Sequence, residues 1–124
     1  MIHTVLVMVG GAVGAALRYQ VGRLGSALLA PGFPWATLAV NVIGGFAMGL
    51  LAGGLARMSM GEPWRLLLGV GVLGGFTTFS AFSLETMLML QRGQMGLAFI
   101  YVLASVIGSV AALFVGLSIL RSVA

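Results

Sequence analysis

The chain has 124 residues, 60% hydrophobic and 6% charged, whereas a soluble domain carries roughly 25% charged residues. Six Arg against two Glu give a net charge of +4, with no Lys, Asp or Cys. That composition excludes a disulfide framework, thiolate chemistry and most metal-ligand clusters or acid–base pairs.

A spanning helix needs about 20 residues. At a mean hydropathy of +1.18, the chain reads as an all-α membrane protein, one integral membrane domain over 1–124 with four transmembrane helices and short loops. The Arg residues are scattered at helix ends rather than clustered, so no nucleic acid is expected as a partner. The N-terminus lacks a basic stretch, and its apolar run continues past the usual cleavage zone. It therefore reads as a retained first helix rather than a signal peptide.

The first span is predicted over about 2–22. Gly10/Gly14 and Gly11/Ala15 form small-xxx-small pairs for close helix contact. Arg18 falls near its end, either snorkelling to the headgroups or facing an aqueous vestibule where it attracts anions. A loop punctuated by Pro31, Gly32 and Pro34 follows. Trp35 suits the interfacial aromatic belt.

The second span is predicted over about 36–56. Gly45, Gly49 and Gly53 recur every four residues and invite a partner helix. Asn41 lies between Thr37 and Gly45, one turn from each. A bare amide in hydrocarbon is costly, so Asn41 either makes an interhelical hydrogen bond or donates to an anion in a pore. Glu62, in the second loop, reads as a solvated charge, and Trp64 again marks an interface.

The third span is predicted over about 66–90, longer than a straight crossing requires. Its centre is residues 74–83, Gly-Gly-Phe-Thr-Thr-Phe-Ser-Ala-Phe-Ser. Adjacent Gly and Thr are poor helix formers, and a break is expected at 74–78. In hydrocarbon a broken helix is tolerated only where it is buried in protein or lines a polar cavity. Beyond the break, Phe79, Phe82, Ser83 and Thr86 share one face, which ordinary packing would also explain. Glu85 should approach the far interface.

The fourth span is predicted over about 96–120. Tyr101, Ser105 and Ser109 recur at four-residue spacing as a polar stripe, beside a small-residue stripe of Gly108, Ala112 and Gly116. Such serines also bond back to their own helix backbone. With four spans, Arg57, Arg65 and Arg121 lie on one side and Arg18, Arg23 and Arg92 on the other. Three against three gives no orientation bias. A chain that inserts both ways can assemble as an antiparallel, dual-topology homodimer.

The 74–83 motif, with Glu85 after it, resembles the central signature of the small fluoride channels (the Fluc, or CrcB, family). The resemblance covers the whole chain, including the Gly-Gly and Arg of the first span, Thr37–Asn41–Gly44–Gly45, and Tyr101–Ser105–Ser109. It implies a fluoride-selective passive channel in a bacterial inner membrane, built as an antiparallel homodimer with two pores and a structural Na⁺ at its centre. Its partners would be fluoride, the lipid bilayer and a second copy in inverted orientation. Gly74 and Thr77 would offer backbone carbonyls to Na⁺. Phe79 and Phe82 match the family's paired aromatics, and Asn41 its pore amide. Thr78, Ser80, Ser83, Ser105 and Ser109 match its hydroxyls, Tyr101 its pore-facing Tyr, and Arg18 its vestibule Arg. Glu85 matches an acidic position near the pore end. Ala81 departs from the family, which usually has Thr or Ser there.

A small dual-topology multidrug transporter is the main alternative. It wants a carboxylate deep in the membrane, typically in the first helix, and none is present there. A structural membrane subunit would fit the glycine stripes but leaves the Thr-Thr-Phe-Ser run unexplained. An enzyme is not expected, because the single His is terminal and no two carboxylates can meet within one subunit's membrane core.

Overall fold

Among the described residues four apolar segments are long enough to cross a membrane, the third of them interrupted. The computed structural model describes residues 1–29, 31–58 and 61–122, the side chains of Arg57 and Met58 excepted. Arg57, counted above in the charge balance, thus has its side chain outside the described residues.

Helix α1 spans Ile2–Leu28 and α2 spans Trp35–Met58. The α1 helix runs beyond residue 22 because no breaker occurs before Pro31. Residues 62–76 form α3, Ser80–Gln91 form α4, and Met95–Ser122 form α5. The turn between α4 and α5 closes on Gly93 (φ 78°). There Gly93 N–H bonds the Leu90 carbonyl and Gln94 N–H bonds the Met89 carbonyl, at 3.1 and 2.9 Å. A left-handed residue at this position favours Gly.

Glycine stripes decide which helices pair. The most extensive pairing is α2 with α5, followed by α1 with α3. A Cβ on Gly45 would stand 2.7 Å from the Ser109 carbonyl, and one on Gly53 2.9 Å from Leu120 Cβ. Gly49 meets Leu113, and Gly116 meets Phe46 and Leu50 in return. On the other side, a Cβ on Gly10 would lie 2.9 Å from Gly71 Cα, and one on Gly75 2.6 Å from the Gly11 carbonyl. The backbones therefore touch, as small-residue interfaces in lipid allow. Substituting Gly14→Ala would press a methyl against the Val72 carbonyl and 2.7 Å from the Phe76 nitrogen. We expect a loss of about 1–3 kcal/mol, seen as a lower unfolding temperature in detergent. Gly22→Ala, with nothing within 4 Å, should not lower it.

The third segment is not a uniform helix. Residues Arg65–Leu73 carry i→i−5, π-type hydrogen bonding between short α-helical turns. The break also differs in place from the expected 74–78. Gly74–Phe76 remains helical, and the chain unwinds at 77–79, with Thr77 extended (ψ 159°). Gly75 serves close approach to α1, against the Gly11 backbone, while Gly74 is exposed. Thr77 ends the helix, where both its N–H and its hydroxyl donate to the Leu73 carbonyl at 3.0 Å.

Candidate functional site

Breaking a helix strands backbone groups, and the side chains around 77–79 take them up one by one. In an unbroken helix Thr78 N–H would bond the Gly74 carbonyl. It donates instead to Asn41 Oδ1 at 2.9 Å, while Asn41 Nδ2 donates to the Thr78 carbonyl at 3.0 Å. Asn41 thus makes the interhelical bond anticipated as one of its two readings, and one N–H of its amide remains beyond that pair. Ala81 N–H, which would bond the Thr77 carbonyl, donates to Thr78 Oγ1 at 3.2 Å. The helical partners of the Gly74 and Thr77 carbonyls are therefore engaged elsewhere. Arg18 Nε–H reaches across from α1 to the Gly75 carbonyl at 3.1 Å.

Helix dipoles meet at this point. The α3 segment presents its C-terminal, electronegative end to the break, and α4 starts from it with an electropositive one. A break of this kind can serve a cation with carbonyls and an anion with N–H groups.

One groove of about 380 Å³ opens beside the break. It is lined by Asn41, Thr78, Phe79, Phe82, Ser105 and Ser109 among others. The Phe79 and Phe82 rings are tilted, with centroids 5.5 Å apart. Phe79 is 76% exposed and forms the outer rim. Ser105 is 6% exposed, and its hydroxyl has no hydrogen-bond partner among the described residues. A buried hydroxyl without a partner is costly, so the Ser105 hydroxyl is a standing donor for a polar guest.

The remaining predicted residues sit around the groove rather than in its wall. Ser80 Oγ pairs with Thr78 Oγ1 at 3.2 Å. Ser83 is exposed and donates back to the Phe79 carbonyl at 2.9 Å. Tyr101 is fully buried behind Phe82, ring centroids 5.2 Å apart, and its hydroxyl donates to Glu85 Oε1 at 3.2 Å. Arg18 lines a separate open cavity of about 550 Å³ with Arg23, Ser26 and Thr37. Thr78 lines both spaces, so they meet at the break.

A sequence profile described as CrcB-like protein, Camphor Resistance (CrcB), matches residues 5–117. The chain belongs to the CrcB family. It is 58% identical over 126 residues to a protein of Novosphingobium aromaticivorans, with each chain covered in full. A relative from Phenylobacterium zucineum is 59% identical over 95% of this chain and 94% of its own. One from Agrobacterium fabrum is 49% identical over 98% of both. All three carry the name Fluoride-specific ion channel FluC.

In this CrcB-family chain the residues that sequence reasoning missed are those that support the site. Phe33, from the first loop, packs edge-on against Tyr101 at 5.4 Å and against Trp35 at 4.5 Å. The Glu85–Tyr101 bond was also unforeseen, although Glu85 and the polar stripe of α5 were both visible. On the opposite surface Glu62 pairs with Arg65, both half-exposed. Such pairs contribute little. Among the described residues no group of three His, Cys, Asp or Glu gathers, and the oxygens at the break are the uncharged ones of the backbone, the Asn41 amide and the Thr77, Thr78 and Ser80 hydroxyls.

Proposed function

We propose that this chain is a fluoride-selective passive ion channel that lets cytoplasmic fluoride leave down its electrochemical gradient. Two copies of inverted orientation form an antiparallel homodimer with two pores in the bacterial inner membrane. The balanced Arg count supports that assembly, as do the exposed Gly74 and the exposed Phe79 ring within the motif. The observation that carries the reading is the break itself. A groove lined by an unpartnered serine hydroxyl, two Phe rings and an amide runs beside it, in a family whose close members are named as fluoride channels.

The chemistry suits a small, strongly hydrated anion. Anions enter past Arg18 and Arg23, whose charge raises their local concentration. They pass Thr78, where the two spaces meet, and reach the groove. There the spare Asn41 N–H, the Ser105 and Ser109 hydroxyls and the electropositive edges of Phe79 and Phe82 replace water piecemeal. Several weak sites permit exit as well as entry. Hydrogen fluoride enters cells as a neutral acid and dissociates inside. The membrane potential, worth roughly 2.3 kcal/mol per charge per 100 mV, then drives fluoride out. Glu85 is bonded to Tyr101, and among the described residues no carboxylate lines the groove to couple protons.

A structural Na⁺ fits the donor set. The Gly74 and Thr77 carbonyls of each copy, released from helical partners, would hold it on the dimer axis at the negative end of α3. Bound there, it would supply fixed positive charge and tie the two copies together.

Efflux from proteoliposomes tests the proposal. Fluoride should leave only when valinomycin lets K⁺ balance the charge, and chloride should stay behind. Fluoride release that ignores valinomycin would mean electroneutral transport and would refute an uncoupled channel.

A further inference from the structure

We infer that Arg18 is a positioning residue for the helix break, holding through the Gly75 carbonyl the turn that presents the Gly74 and Thr77 carbonyls. The inference rests on the cation site proposed above and assigns Arg18 a task separate from its charge in the vestibule. A vestibule charge needs no backbone partner, and a snorkelling Arg turns away from the protein. Neither role accounts for the Arg18 Nε–H, which donates to the Gly75 carbonyl at 3.1 Å. In an unbroken helix that carbonyl would take Phe79 N–H, and Phe79 lies in the break.

The anchor is firm because α1 cannot slide. Gly10 lies against Gly71, Gly14 against Val72 and Phe76, and Gly11 against Gly75, all in backbone contact. Arg18 follows Gly14 by one turn, so the same interface that seats α1 delivers the guanidinium to the last turn of α3. A cationic donor at a helix C-terminus satisfies a stranded carbonyl and opposes the helix dipole. Gly75 is joined directly to Gly74 and is two residues from Thr77, and glycine has little intrinsic stiffness. Without Arg18 the peptide planes of this turn can rotate, and the two carbonyls lose their common direction. Arg18 also lines the 550 Å³ cavity, so one side chain serves both purposes.

The sign of the effect separates the two roles. A positive charge near a cation site repels the cation, so removing it for electrostatic reasons alone would tighten sodium binding. Removing a positioning residue weakens it. The test is thermal unfolding of the purified protein in detergent, titrated with NaCl against choline chloride at constant ionic strength, to give a sodium midpoint. Arg18→Gln should raise that midpoint by about tenfold, as for loss of one charge-assisted hydrogen bond. Arg18→Lys keeps a charge on a flexible stem without the planar fork. It should raise the midpoint by about two- to fivefold, and it gives the answer even if Arg18→Gln fails to fold. Arg23→Gln, which removes the same charge from the same cavity, should leave the midpoint unmoved or lowered. An unmoved or lowered midpoint in either Arg18 variant, or an equal rise in Arg23→Gln, overturns the inference. Wild-type protein indifferent to sodium refutes the cation site and this inference with it. A sodium-dependent wild type with unmoved Arg18 variants refutes the inference alone.

Discussion

Replacing Asn41 by Asp should abolish fluoride flux, with a fall on the order of 100-fold or more. Two effects act in the same direction. The Asn41 amide currently donates to the Thr78 carbonyl at 3.0 Å and accepts from Thr78 N–H at 2.9 Å. A carboxylate retains the second bond but sets oxygen against oxygen at the first, so the unwound turn loses half of its clamp. The new charge also lies in the wall of the groove, where it repels the anion that must pass. The check is proteoliposome efflux on protein shown by size-exclusion chromatography to keep its assembly. Normal conduction by Asn41→Asp would confine Asn41 to packing and remove it from the path.

The second large effect belongs to Phe82. Its ring lies 5.5 Å from Phe79 and 5.2 Å from Tyr101, and it packs on the buried cluster of Met89, Ala98 and Tyr101. Phe82→Ile keeps an apolar side chain against that cluster but removes the electropositive ring edge. Flux should fall by roughly 10- to 100-fold while the protein keeps its fold and assembly. Undiminished flux would remove the ring edges from the mechanism and leave Asn41 and the serine hydroxyls as the path.

Much of this organisation could be read from residue spacing, because lipid simplifies the rules. Four apolar stretches give four spans, and glycines at four-residue intervals mark faces where backbones touch. Gly45, Gly49 and Gly53 meet α5 as that pattern requires. Asn41 and the 74–83 motif stood out because a polar amide and a helix break are both costly in hydrocarbon.

What was hidden follows from contacts distant in sequence. Nothing in Leu-Leu-Leu-Gly-Val-Gly-Val-Leu distinguishes i→i−5 from i→i−4 bonding, so the π stretch was not foreseen. The break lies at 77–79 rather than 74–78: Gly74–Phe76 stays helical while Gly75 packs on the Gly11 backbone of α1, a tertiary contact that propensity alone does not see. The joining of Arg18 to Gly75 and of Glu85 to Tyr101 likewise depends on tertiary approach across 57 and 16 residues. Tyr101, Ser105 and Ser109 share a stripe in sequence, but only the two serines line the groove, with Tyr101 buried behind Phe82.

The most direct measurement of selective conduction is the reversal potential across a planar bilayer containing the purified protein, with fluoride on one side and an equal concentration of chloride on the other. A groove that replaces the water of fluoride through one amide, two hydroxyls and two ring edges should give a large potential of the sign set by fluoride leaving its own side, unchanged when a pH gradient is imposed. A reversal potential near zero would mean that chloride permeates equally. A potential that tracks the pH gradient would mean coupling to protons, and either result would contradict a passive fluoride-selective channel.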